Sequence, residues 1–200
     1  KYDNVYAAIG YDHSVVNEIT EEDLKLLENQ LKNEKVVAIG EIGLDYYWIK
    51  ENKEKQKKLF IKQLELAEKY NLPVIIHSRD AVQDVYDILK TRNLRGSIHC
   101  YSGSTEMAKE FIKIGFNIGI DGPITFKNNK KQREMVKNID INHILVETDS
   151  PYLSPEPNRG KVNTSLNLVY ILKQIALELD MEYEEIKEIT TNNARNVFKI

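Results

Sequence analysis

Four residues able to bind a metal or move a proton stand at corresponding places along the chain. Glu41 follows the apolar run 36–40, His77 follows 74–76, His99 follows Ser97-Ile98, and Asp149 follows 144–148. Two imidazoles and two carboxylates are borderline-to-hard ligands, suited to Zn²⁺, Mn²⁺ or Mg²⁺ and poorly suited to Cu(I) or an iron–sulfur cluster. Taken singly, a histidine at a strand end is ordinarily a hydrogen-bonded structural group, and a lone acid in a loop a helix cap or a solvated charge. Four in order, at successive or near-successive run ends, point to a shared metal site. Gly40 and Gly43 flank Glu41, a spacing that lets backbone approach a bound group closely. Arg159-Gly160-Lys161 lies beyond Asp149. Arginine grips phosphate with two parallel hydrogen bonds, so Arg159, with Lys161, is a candidate for holding a substrate phosphate. No Ser–His or Cys–His arrangement offers a covalent nucleophile.

The elements that must position these side chains alternate. Short runs rich in Val and Ile fall at 5–10, 36–40, 74–77, 97–100, 116–120 and 144–147. Their near-continuous apolar character is that of strands buried on both faces of a parallel sheet. Between them lie amphipathic stretches. Thr20 precedes three acids and an apolar pattern at Leu24, Leu27 and Leu31, a helix start. Helical spacing also marks 53–70, ended by Asn71 and Pro73, and 80–91. Ser104 reads as the N-cap of a helix over 105–114, with Gly115 as its stop. Further helices are expected over 166–179, 184–190 and 194–198. Such alternation predicts a parallel α/β fold, open or closed into a barrel. In a barrel every strand runs the same way, so Glu41, His77, His99 and Asp149 would all reach the C-terminal rim, where barrel enzymes do their chemistry.

These segments resemble the TatD family of metal-dependent deoxyribonucleases. The resemblance is carried by Gly40-Glu41-Ile42-Gly43-Leu44-Asp45-Tyr46, Pro73-Val74-Ile75-Ile76-His77-Ser78-Arg79-Asp80-Ala81, Ile98-His99-Cys100-Tyr101-Ser102-Gly103 and Val146-Glu147-Thr148-Asp149-Ser150-Pro151-Tyr152-Leu153. Pro157-Asn158-Arg159-Gly160-Lys161-Val162-Asn163 and Thr191-Asn192-Asn193-Ala194-Arg195-Asn196-Val197-Phe198 add to it. It covers essentially the whole chain and implies a TIM-type (β/α)8 barrel, with residues 1–200 a single, partial hydrolase domain. It further implies two divalent ions (Mg, Mn or Zn), with Glu41 bridging both, His77 and His99 holding one, and Asp149 holding the other. Asp149, with Glu41, would be catalytic and would activate the attacking water.

Two features depart from the family pattern. The His-x-His pair that ends the family's first strand is absent, the histidines being His13, His77, His99 and His143. A barrel of this kind typically needs about 250 residues, so the first two strands and helices are expected to be missing. In Gly10-Tyr11-Asp12-His13-Ser14, Asp12 falls where the family often has a histidine, and no role is carried over to His13.

The net charge of −3 argues against a protein that coats nucleic acid through phosphate contacts, but not against an enzyme that meets one DNA phosphate through a metal. No run approaches the ~20 apolar residues of a membrane span. A single cysteine, Cys100, reads as a small buried hydrophobe and fits a reducing cytoplasm. The expected activity is deoxyribonuclease. The alternatives are hydrolysis of an ester or amide such as an aminoacyl–nucleic-acid bond, and an inactive truncated relative.

Overall fold

The computed structural model describes residues 2–48 and 51–200. Strands and helices alternate along them, and the chain divides into two compact units, Lys1–Ile98 with Val197–Ile200, and His99–Asn196.

In the first unit the strands β1 (Ala7–Ile9), β2 (Val36–Asp45), β3 (Val74–Arg79) and β4 (Gly96–Ile98) pair in chain order, all parallel. The helices are α1 (Glu21–Gln30), α2 (Lys53–Tyr70) and α3 (Val82–Leu89). Thr20 caps α1 as its sequence predicts. Its hydroxyl accepts from the Asp23 N–H, and the Asp23 carboxylate accepts from the Thr20 N–H. A cap of this kind contributes about 1 kcal/mol. Helix α2 lies against β2, with Leu59, Phe60, Leu64 and Ala67 buried. Burial of the larger of these stabilises by roughly 1.5–3 kcal/mol each. Asn71, left-handed at φ 51°, ends the helix.

The second unit contains α4 (Thr105–Lys113), β5 (Phe116–Ile120), α5 (Lys130–Asn138), β6 (Ile144–Val146), α6 (Leu168–Leu179) and most of α7 (Tyr183–Phe198). Strands β5 and β6 pair in parallel. Ser104 caps α4, and Gly115, at φ 93°, stops it. Helix α5 departs from the sequence reading, which placed no helix there. Its Lys-Lys-Gln-Arg-Glu start is almost wholly polar, and only Met135 and Val136 give it a buried apolar face. A second departure is α7, continuous where two helices are expected. The break was suggested by Thr190-Thr191-Asn192-Asn193, all weak helix formers. Tertiary bonds override that weakness. The buried Asn193 amide donates to the carbonyls of Ile141 and Ile144 at the start of β6.

Strand β2 runs on to Asp45, beyond the apolar run at 36–40. Its register against β3 shifts between Ile39, opposite Val74, and Ile42, opposite Ile76. One extra residue therefore enters on the β2 side, a bulge that re-aims the side chains it carries. Glu41 lies inside it. None of the described helices is long and apolar enough to cross a membrane.

Candidate metal centre

In the first unit three strand and loop segments bring five ionisable side chains together. Glu41 comes from the β2 bulge, Asp45 from the end of β2, His77 from β3, and Asp12 and His13 from the turn after β1. His77 uses both ring nitrogens: Nδ1 is 2.8 Å from Glu41 Oε1, and Nε2 is 3.0 Å from Asp45 Oδ2. His13 stacks on His77 with ring centroids 4.9 Å apart, and its Nε2 lies 3.7 Å from Asp45 Oδ2. Sequence reasoning left His13 and Asp45 without a role, although both occur inside or beside the motifs it quoted. What it lacked was the packing that delivers them.

Helix α2 does this positioning with two buried glutamines seven residues apart, which is two helical turns and therefore one face. The Gln56 amide accepts from the Asp45 N–H and donates to the Asp45 carbonyl, each at 2.9 Å. Gln63 does the same for Tyr11, at 2.7 and 2.8 Å. Each clamp fixes the backbone beside a candidate ligand, and Asp45 is held only 1 % exposed.

The electrostatics follow from this crowding. Burial depresses His77, but the hydrogen bond and charge of Glu41, joined by Asp45, outweigh it and raise its pKa. Burial and the neighbouring His77 lower that of His13. Burial raises Asp45, but the Trp48 N–H and His77 overcome it and leave its carboxyl below the usual range. Both effects on His13 favour the neutral imidazole, the form a metal needs. Its Nδ1 is buried with no hydrogen-bond partner, and His13, Asp45 and His77 each offer a donor atom within 4.8 Å of the others. An N/O donor set of this kind suits a borderline divalent ion.

The second unit repeats the pattern. His99, one residue past β4, places Nδ1 2.7 Å from Glu147 Oε2 and Nε2 3.4 Å from Asp149 Oδ1. Glu147 also accepts from the Cys100 N–H. A histidine oriented by a carboxylate on one nitrogen is the usual support for a ligating imidazole. Donor atoms of His99, Cys100 and Asp149 lie within 4.8 Å of one another. Asp149 is held at φ 52° and Cys100 at φ 47°, left-handed conformations that non-glycine residues adopt at a cost. Asn163, from the 157–163 motif, ties the Asp149 loop: its amide donates to the Thr148 and Tyr152 carbonyls, both at 2.7 Å.

Cys100 is half-buried and hydrogen-bonded rather than a wholly buried hydrophobe: its Sγ donates to Asp121 Oδ2 at 2.8 Å. Burial, together with Asp121, pushes the thiol far above its ordinary value, which leaves it unsuited to nucleophilic attack. Burial likewise pushes the Asp121 carboxyl up to about 6 against the opposing Cys100 bond, with the Glu147 charge adding to the rise. Because the folded value lies above the ordinary 3.8, this group's stabilising contribution is present below pH 3.8 and lost as pH rises to about 6. Asp121→Asn is therefore expected to raise the melting temperature of the metal-free protein at pH 7 by a few degrees, with no gain at pH 4. Calorimetry at the two pH values checks this, and equal shifts at both would contradict it.

The four expected ligands thus appear as two pairs, Glu41 with His77 in one unit and His99 with Asp149 in the other. The glycines beside Glu41 have a role in the sheet itself. A Cβ on Gly40 would stand 2.6 Å from the Ile75 Cβ, and one on Gly43 2.0 Å from the His77 carbonyl oxygen. They let β2 approach β3 closely. Arg159 and Lys161 are both exposed. The Arg159 guanidinium rests 4.1 Å from the Phe126 ring centroid and 4.0 Å from Glu156.

A family model described as TatD related DNase matches residues 1–199. YabD of Bacillus subtilis, an uncharacterized metal-dependent hydrolase, is 47 % identical over 100 % of this chain and 80 % of its own length. YcfH of Escherichia coli, described in the same words, is 36 % identical over 89 % of this chain and 68 % of its own length. Among solved structures, the TatD homologue YJJV of Escherichia coli superposes with a TM-score of 0.95 at 31 % identity, covering 100 % of this chain and 79 % of that one. A TatD-family hydrolase of Entamoeba histolytica gives 0.83 at 25 % identity, over 96 % of this chain and 74 % of that one. These likenesses show the fold class expected from the sequence, the TIM-type α/β fold of the TatD homologues.

Proposed function

The chain belongs to the family of TatD-related DNases, metal-dependent hydrolases, and from that premise we propose that it cleaves phosphodiester bonds of DNA. The observation that carries the reading is the same device built twice: a histidine with one ring nitrogen on a glutamate and the other towards an aspartate, His77 with Glu41 and Asp45, His99 with Glu147 and Asp149. Glu41, His77, His99 and Asp149 are the metal-binding side chains of this reading, joined by His13 and Asp45. Residues 1–200 act as one hydrolase domain with donor sets in both units. Two divalent ions, Mg, Mn or Zn, would supply Lewis acidity towards the scissile phosphate and a more acidic water. Asp149 keeps an exposed carboxylate edge able to take a proton from that water. Glu41 and Asp45 hold His77 oriented, and Glu147 does so for His99. Arg159 and Lys161, exposed after the Asp149 loop, meet a flanking phosphate. The single cysteine supports work in a reducing cytoplasm.

The test is hydrolysis of an end-labelled deoxyoligonucleotide with Mg²⁺, Mn²⁺ or Zn²⁺, beside an aminoacyl ester of a nucleotide. Cleavage of the DNA that stops in EDTA supports the reading. Turnover of the ester alone would replace it with a deacylase.

A further inference from the structure

Immediately after Asp45 the chain turns out of β2 and exposes two aromatic rings in succession. Tyr47 is 48 % and Trp48 69 % exposed. Large aromatic side chains bury well in cores and are enriched where something binds, so two adjacent exposed rings call for an occupant. They are not loose. The Asp45 Oδ1 accepts from both the Tyr47 and the Trp48 N–H at 2.9 Å. The preceding ring, Tyr46, is buried, its hydroxyl donating to Asp84 Oδ2 at 2.7 Å. The two exposed rings meet edge to face, 4.8 Å apart. Over them lies Arg79, at the end of β3, its guanidinium carbon 4.0 Å from the Tyr47 centroid and 5.3 Å from that of Trp48. Arg79 is itself exposed and makes no salt bridge to a carboxylate among the described residues.

We propose that Tyr47, Trp48 and Arg79 form a stacking platform for an unpaired nucleobase of DNA, beside the Glu41–Asp45–His77 cluster. This rests on the nuclease reading and names how that site would hold its substrate. Each part of the platform has a role there. A planar base meets a flat indole face, and stacking of this kind tolerates any base. The guanidinium supplies a cation for the phosphate next to that base. The connection to the metal cluster is one carboxylate: Asp45 fixes the platform's backbone with Oδ1 and faces His77 with Oδ2. A base stacked on Trp48 is thereby set at a fixed offset from the metal ligands. A net charge of −3 gives the chain little general attraction for a polyanion, so a local stacking contribution to affinity has a clear purpose.

Trp48 is the single tryptophan of the sequence, so fluorescence excited at the red edge, where tyrosine does not absorb, reports on this platform alone. The experiment titrates the full chain, in Mg²⁺, with a phosphorothioate thymidine hexamer that resists hydrolysis and with an abasic phosphorothioate hexamer of the same charge. The thymidine oligomer is expected to quench Trp48, and the abasic one to leave it nearly unchanged. By anisotropy of a labelled hexamer, Trp48→Ala is expected to weaken thymidine binding roughly tenfold with little effect on the abasic chain, and Trp48→Phe to restore most of the loss. Equal quenching by both oligomers, no quenching by either, or unchanged thymidine affinity in Trp48→Ala would overturn the platform. The nuclease reading is tested separately. Quenching without any DNA cleavage would refute that reading and leave the platform standing, while cleavage with Trp48→Ala affinity intact would do the reverse.

Discussion

Replacing Glu41 by Gln is expected to lower metal-dependent DNA hydrolysis roughly 100-fold or more while leaving the protein folded. The amide keeps nearly the same shape and one acceptor, so the Ile39–Ile42 bulge has no reason to change. The charge is lost. Glu41 is the foremost influence raising His77 against its burial, and it is the acid that the bulge turns towards His77 Nδ1 at 2.8 Å. Without it a cation in the first unit has one fewer anionic donor, and His77 one fewer partner to orient it. Asp149→Asn is expected to reach a comparable loss by a different route, removing from the second unit the carboxylate 3.4 Å from His99 Nε2. Turnover of a labelled oligonucleotide at saturating Mn²⁺, with circular dichroism to verify folding, makes the comparison. Metal content per chain adds a readout that an indirect structural role would not give. Either variant retaining wild-type turnover would remove that residue from the catalytic set.

A methyl group at position 43 is expected to do more damage to the fold than any other single carbon in this motif. Gly43 sits at φ 149°, opposite His77 in the β2–β3 ladder, and a Cβ there would stand 2.0 Å from the His77 carbonyl oxygen and 2.9 Å from its carbon. Backbone cannot swing aside as a flexible side chain does. Gly43→Ala must push β2 from β3 at the place where Glu41 and Asp45 grip His77. A cost of about 3 kcal/mol or more is expected, the sum of a strained backbone and an overpacked sheet. Gly160→Ala is the control. Its φ of 85° also disfavours a side chain, but nothing lies within 4 Å of the added carbon. Only the conformational cost remains there, about 1–2 kcal/mol. Urea denaturation of both variants measures the difference. A Gly43→Ala protein as stable as Gly160→Ala would show that β2 and β3 can separate at little cost.

What the sequence by itself determined is the class of fold and the principal chemistry. Apolar runs rich in Val and Ile announce buried parallel strands, because such strands meet apolar neighbours on both faces. Thr20, Ser104 and Gly115 announce helix ends through local hydrogen bonding and local conformational freedom. Glu41, His77, His99 and Asp149 announce themselves by recurring beside strands, and the motifs around them announce the family. Each of these signals is local to its own segment, and the ligand pattern comes from their recurrence along the chain. The tertiary structure alone decided the rest. Helix α5 shows almost no apolar period, since only Met135 and Val136 have a core to face. Helix α7 crosses its weak central residues because Asn193 finds partners at the start of β6. The bulge that turns Glu41 arises from a register against β3, a relation between segments thirty-odd residues apart. His13 and Asp45 become members of the cluster because Gln63 and Gln56 of α2 clamp the backbone beside one and of the other. A glutamine on a helix carries no mark in sequence that says which distant amide it will hold; only packing supplies that partner.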